Sequence, residues 1–299
     1  MNDCYTVTFG FRAENHARNQ VVGEATIVSM TTDRLIEVGR MLREKGVEHD
    51  TINLWKLLPK PAPPGPTPPR AMVLVVRDGV GQMLESVDKA ALYAELKTLR
   101  IDTKCLIRGR VVNKKARYCT TVADFDQEPD YEDGKGTVNN FNNFPILNAV
   151  RALFASFLGV PPSHLMGEVN HYYNADECGI GFHGDAERAD PCYGGGFTAG
   201  LRVGPGAKGF PLRYIWYENN RAIGTIGELY LDECDMYIMD EKAMGGDFRK
   251  SSIKTLRHSA GKHPKWAQLS GVMAKEGKNW PKKKLYPLIK KMAVMKQPA

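Results

Sequence analysis

His183 and Asp185 stand two residues apart in the strand-like run Ile180 to Asp185, I-G-F-H-G-D. Side chains at i and i+2 of a strand point to one face, so this spacing presents an imidazole and a carboxylate into the same space. Those are two of the ligands a metal site needs. Two ligands hold a metal poorly, and the best third candidate is His258, in K-T-L-R-H-S-A-G beyond the strand-like run Glu228 to Met239. Two imidazoles and a carboxylate on one side of an octahedral ion leave the opposite side open to exogenous ligands.

One H-x-D string is expected from composition alone in about a third of such chains, so the pair gains weight only from its surroundings. Asn170-His171-Tyr172, in the alternating run that begins at Gly167, precedes it across a polar turn at Asn174 to Glu177. Downstream come G-P-G-A-K-G-F-P-L-R-Y (Gly204 to Tyr214), L-Y-L-D-E-C-D-M-Y-I-M-D (Leu229 to Asp240) and Arg257-His258-Ser259. The donor set itself is the facial triad of non-haem Fe(II) oxygenases. In order and spacing these strings resemble the AlkB-like branch of the Fe(II)/2-oxoglutarate dioxygenases, with an N-x-Y strand, a turn, H-x-D, a Gly-Asp-containing strand and a distal His. Cys234-Asp235 stands where that family usually has Gly-Asp.

The resemblance implies Fe(II) held by His183, Asp185 and His258, with 2-oxoglutarate and O2 as cosubstrates and succinate and CO2 as products. Asn170 and Tyr172 match the residues that hydrogen-bond the cosubstrate, with Tyr173 a register-shifted alternative facing away. The family's Arg for the distal carboxylate of 2-oxoglutarate is missing, since no Arg follows Arg257. Lys275 is nearest to its place, at the end of A-Q-L-S-G-V-M-A, with Lys262 and Lys265 as other cations. The basic string R-G-R-V-V-N-K-K-A-R-Y (Arg108 to Tyr118) matches, loosely, the lid that reads a substrate nucleotide, which makes Lys114, Lys115, Arg117 and Tyr118 candidate substrate residues. A solvated edge hairpin is the competing reading of that string.

These residues must be held by a scaffold, and the chain supplies one. Its 299 residues are 42% hydrophobic and 25% charged, ordinary for a globular protein. Six scattered Cys without a C-x-x-C argue against a zinc ribbon or a disulfide scaffold. No signal peptide or membrane-spanning run is present, so an intracellular monomer of cytoplasm or nucleus is expected. A net charge of +7 and a pI near 9.0 favour a polyanionic partner, DNA or RNA first.

Residues 1–58 read as a small α/β leading unit, with strands at Tyr5 to Phe11 and Val21 to Met30 and a helix from an N-cap at Thr31-Thr32-Asp33. Glu14, His16, Glu48, His49 and Asp50 in it read as solvated loop residues. Residues 59–70, P-K-P-A-P-P-G-P-T-P-P-R, form a stiff polyproline spacer. A catalytic domain over 71–275 follows, with helices at Asp88 to Leu99 and Asn139 to Leu158, a lid region at about 106–136 and short strands over about 165–275. The expected class is α+β with a mainly β core, a double-stranded β-helix (jelly roll) with flanking helices. Residues 276–299 form a basic tail with interleaved aromatics, suited to a phosphate backbone or to a solvated helix. The leading functional expectation is oxidation of a C–H bond on a nucleic-acid base, by demethylation or hydroxylation. Hydroxylation of a protein or small molecule, a cupin-type zinc enzyme and a nucleic-acid-binding module without turnover stay open.

Overall fold

Alternation dominates the sequence and strands dominate the structure, a computed structural model that describes residues 2–18, 20–59, 70–189 and 195–262. In chain order the first elements are β1 (Cys4–Gly10), β2 (Arg12–Glu14), β3 (Val21–Gly23), α1 (Thr32–Glu44), β4 (Asp50–Asn53) and β5 (Met72–Val76). Next are α2 (Gly79–Met83), α3 (Lys89–Lys97), β6 (Lys104–Ile107), β7 (Arg110–Asn113), β8 (Tyr118–Ala123), β9 (Val138–Asn140) and α4 (Pro145–Leu158). The rest are β10 (Met166–Tyr172), β11 (Gly179–His183), β12 (Thr198–Val203), β13 (Phe210–Glu218), β14 (Arg221–Leu231), β15 (Met236–Met239), α5 (Glu241–Met244) and β16 (Thr255–Gly261).

The helices start and stop where local chemistry dictates. Thr31 caps α1 by accepting from the Arg34 amide, and Asp88 caps α3 by accepting from the Ala90 amide. In α4, Pro145 sits in the first turn, where its missing N–H costs nothing, and Gly159 closes the other end at φ 68°.

Eight strands form a mixed sheet in the order β4-β5-β15-β12-β1-β10-β8-β9, and four form an antiparallel sheet, β11-β16-β13-β14. The described residues are thus mainly β, with two main sheets, the two-stranded ribbons β2-β3 and β6-β7, and α1, α3 and α4 on one side of the large sheet. Period-two alternation sorts the large sheet's faces. Val7, Phe9, Leu74, Val76, Val169, Leu201, Met236 and Ile238 point to one side and pack with Leu35 and Val38 of α1, Leu92 and Leu96 of α3, and Leu147, Val150 and Phe154 of α4. Each such side chain buried contributes about 1.5–3 kcal/mol. Val73, Val75, Tyr237 and Met239 point to the other side, against Leu212, Tyr214, Trp216, Leu229 and Leu256 of the small sheet.

The leading segment is not set apart from the rest. β1 lies inside the large sheet, antiparallel to β10 on one side and β12 on the other. The pattern that read as a separate unit is the pattern of any inner strand, and sequence distance hides its partners. Val21 to Met30 forms a strand only over Val21–Gly23. The spacer over 60–69, His263, Lys265, Lys275 and the tail 276–299 lie outside the described residues. Among the described residues no helix is long and apolar enough to cross a membrane.

Candidate metal centre

Between the sheets the inner face changes character. Where β1, β10 and β12 run side by side, the residues turned toward the small sheet are Thr6, Thr8, Glu168, Asn170, Thr198 and Arg202, all buried except the half-buried Thr8. Such polar side chains lose hydration in a sandwich interior and need partners there. They line a cavity with Tyr172, Ile180, His183, Asp185, Arg188, Leu212, Tyr237, Met239, His258 and Ala260.

The expected ligands converge in that cavity. β11 pairs with β16 so that His183 lies directly opposite His258. The strand stops at His183, however, and Asp185 sits past its end, at φ −83° and ψ 64°. The loop is held by the Asp185 amide donating to the Met244 carbonyl at 3.1 Å. Asp185 therefore reaches the imidazoles by a turn rather than by strand alternation. His183 Nε2 is 3.5 Å and His258 Nε2 3.2 Å from Asp185 Oδ1. One ligating atom from each of the three residues lies within 4.8 Å of the others. Donors about 2.1 Å from a common ion and at right angles lie about 3 Å apart, so the set fits a metal ion.

Neighbours fix the ligands' orientation. His183 Nδ1 donates to the Gly181 carbonyl at 2.7 Å, which leaves Nε2 with its lone pair turned toward Asp185. Thr198 Oγ1 donates to Asp185 Oδ2 at 3.0 Å, so Oδ1 is the oxygen left for the imidazoles. Burial, then the charge of His258, pushes His183 down to about 3, keeping it a neutral ligand. Burial alone would raise Asp185, but His258, Arg188 and His183 offset this and hold its carboxyl well below the usual carboxylate range. Burial, reinforced by the charge of Asp185, raises Glu187 to about 8.

Asn170 and Tyr172 both line the cavity, and Tyr172 packs on Phe210 with ring centroids 4.8 Å apart. Tyr173 turns outward, donating to the Lys115 carbonyl at 2.6 Å. Of the four basic-string residues, Arg117 reaches the cavity wall, its Nε donating to Asn170 Oδ1. Lys114 is turned to Cys119 Sγ at 2.7 Å, Lys115 is exposed, and Tyr118 stacks on Tyr173 at 4.6 Å, outside the cavity lining.

Several residues of the site escape sequence reasoning. His16, expected in solvent, binds Glu168 Oε1 through Nε2 at 2.9 Å, with Glu14 at 3.4 Å. Its backbone is left-handed at φ 53°. Burial alone would lower the imidazole, but the Glu168 charge raises it to about 10. Arg188 bridges Glu168 Oε2 at 3.2 Å and Asp185 Oδ2 at 3.8 Å and donates to Thr8 Oγ1 at 2.8 Å. Arg202 enters from β12. The one sequence signal was polar residues at alternating positions of otherwise apolar strands, T-V-T-F, G-E-V-N and A-G-L-R-V, which contain Glu168 and Arg202 but neither His16 nor Arg188.

No family model matches the chain. It is 33% identical over 262 residues to an uncharacterized protein of Acanthamoeba polyphaga mimivirus, the alignment spanning 87% of this chain and 96% of the viral protein. At that identity and coverage, the chain belongs to the same family as this mimivirus protein.

Proposed function

We propose that this protein is an AlkB-like Fe(II)- and 2-oxoglutarate-dependent dioxygenase, its two facing sheets forming a double-stranded β-helix. The observation that carries the reading is the convergence of His183, Asp185 and His258 in one cavity with Asn170 and Tyr172. Two imidazoles and one carboxylate suit a metal that must keep positions open. A further feature agrees: Cys234 adopts φ 64°, the left-handed region that favours glycine, where the resembled family has Gly.

Bound iron, with 2-oxoglutarate and O2, would supply the capacity to oxidise an unactivated C–H bond with release of succinate and CO2. The chain's own residues do the rest. His183, Asp185 and His258 hold the ion, and Thr198 and Arg188 keep the carboxylate in place. Asn170 and Tyr172 offer an amide and a phenol to the cosubstrate. Ile180, Leu212, Met239 and Ala260 give the cavity apolar walls that exclude water.

The substrate proposed is a nucleic-acid base. β6 and β7 form a two-stranded ribbon outside the main sheets, with Lys104, Arg108, Arg110 and Lys115 exposed on or beside it. Arg117, just beyond, links this basic surface to the cavity through Asn170. A base reaches an enclosed oxidant only when unstacked, and its flanking phosphates then need cations.

Anaerobic addition of Fe(II) and 2-oxoglutarate tests the chemistry. A visible metal-to-ligand charge-transfer band is expected for the native protein and not for Asp185→Ala, and absence of the band in the native protein refutes the reading. Succinate formation in air separates an oxygenase from a hydrolytic zinc enzyme.

A further inference from the structure

Four arginines are buried among the described residues, and three have carboxylates. Arg151 grips Asp124, Arg188 grips Glu168 and Arg213 grips Glu228. The fourth, Arg202, is 0% exposed and has no ion pair among the described residues. Its Nη1 donates to Thr6 Oγ1, while Nε and Nη2 have no hydrogen-bond partner. Its guanidinium carbon lies 4.9 Å from the Phe210 ring centroid and 5.9 Å from that of Tyr237. A buried charge without a counter-ion is among the costliest arrangements in a protein interior.

The orientation of the unused donors identifies what is missing. Nε–H and the neighbouring Nη2–H form the side-on edge of the guanidinium, which takes the two oxygens of one carboxylate. Arg202 lines the cavity that holds the three metal ligands, Asn170 and Tyr172. A ligand that engages the metal with one end and Arg202 with the other carries its second anionic group at a distance from the first. 2-Oxoglutarate is such a ligand. We infer that Arg202 anchors the distal carboxylate of the cosubstrate, from β12 on the large sheet rather than from the chain after His258.

The inference rests on the dioxygenase reading, and one experiment separates the two. Protein loaded with redox-inert Mn(II) is titrated calorimetrically, without O2, with 2-oxoglutarate and with 2-oxopentanoate, which has the same chain but no distal carboxylate. The native protein should prefer 2-oxoglutarate by roughly 100-fold, the worth of a buried charge-assisted pair. Arg202→Leu should abolish that preference while keeping its Mn(II) stoichiometry and melting no lower without cosubstrate, because an uncompensated buried charge has been removed. Arg202→Lys should restore part of the preference, and decides the matter should the leucine variant fail to fold. Lys275→Ala should keep the full preference. An Arg202→Leu or Arg202→Lys protein that discriminates like the native one, or a Lys275→Ala protein that does not discriminate, overturns the assignment and leaves the dioxygenase reading standing. A native protein that binds neither 2-oxo acid, or both alike, overturns both.

Discussion

Thr198→Val is the most informative small perturbation of the candidate metal centre. Valine keeps the volume and β-branching of threonine, so a strand position that is 1% exposed should repack without a hole. What is lost is one hydrogen bond, Oγ1 to Asp185 Oδ2 at 3.0 Å. A hydrogen bond to a charged group contributes about 1.5–3 kcal/mol, and at about 1.4 kcal/mol per tenfold that is roughly 10–100-fold in affinity. Loss of an outer partner of a metal ligand typically costs the same 10–100-fold. Arg188 Nε, 3.8 Å from the same oxygen, is too distant to replace the hydroxyl. Calorimetric titration with Mn(II) should therefore give a Kd raised about 10–100-fold with unchanged stoichiometry, and Thr198→Ser should return it toward native. An unchanged Kd in Thr198→Val, where Asp185→Ala binds no metal, would refute the claim that this hydroxyl positions the carboxylate.

Gly184 separates the two ligands of the H-x-D string, and a Cβ there would press on the Gly245 carbonyl and lie 3.0 Å from Phe248 Cβ. Gly184→Ala should displace the ligand loop and weaken Mn(II) binding at least tenfold while far-ultraviolet circular dichroism stays native, and native affinity would disprove this. His16 is raised in the folded protein from 6.5 to about 10. Its stabilising effect is therefore whole below pH 6.5 and lost as pH rises through about 10. Melting temperature should fall between pH 7 and pH 10 more steeply in the native protein than in His16→Gln, and parallel slopes would remove His16 from the account. Replacing Lys115 and Arg117 together by Ala should weaken oligonucleotide binding, whose affinity should itself fall steeply with salt. Salt-insensitive binding would turn attention to a protein or small-molecule substrate.

The candidate ligands were legible because metal chemistry restricts them to a few residue types. The shared strand face expected of i and i+2 did not hold, since Asp185 lies past the end of β11 and meets the imidazoles through a turn. His258, distant in sequence, was legible through its place in a run of motifs, and the pairing of β11 with β16 sets it opposite His183. Helices were legible through apolar spacing and end signals, such as the cap at Thr31-Thr32-Asp33, which the structure realises at Thr31. The anionic and cationic network was not. Glu168, Arg188 and Arg202 were not singled out, because such residues are seldom buried and sequence alone does not show the partners that bury them here. His16 failed for the same reason: Glu168, its partner, is 152 positions along the chain. The place of β1 was hidden because alternation gives a strand's faces but not its neighbours.

The position of β1 governs how this chain can be made. Val7 pairs with Val169 on one side and with Leu201 on the other. A ribosome releases β1 first and its two neighbours much later, so for most of synthesis the first strand carries two unpaired edges. Pairings this distant in sequence make folding slow and expose strand edges to association. Thr6 and Thr8, which line the cavity, reach their places when that strand docks. The cavity is therefore among the last parts of the protein to exist, and a nascent chain interrupted before β12 emerges has the H-x-D string without a chamber around it.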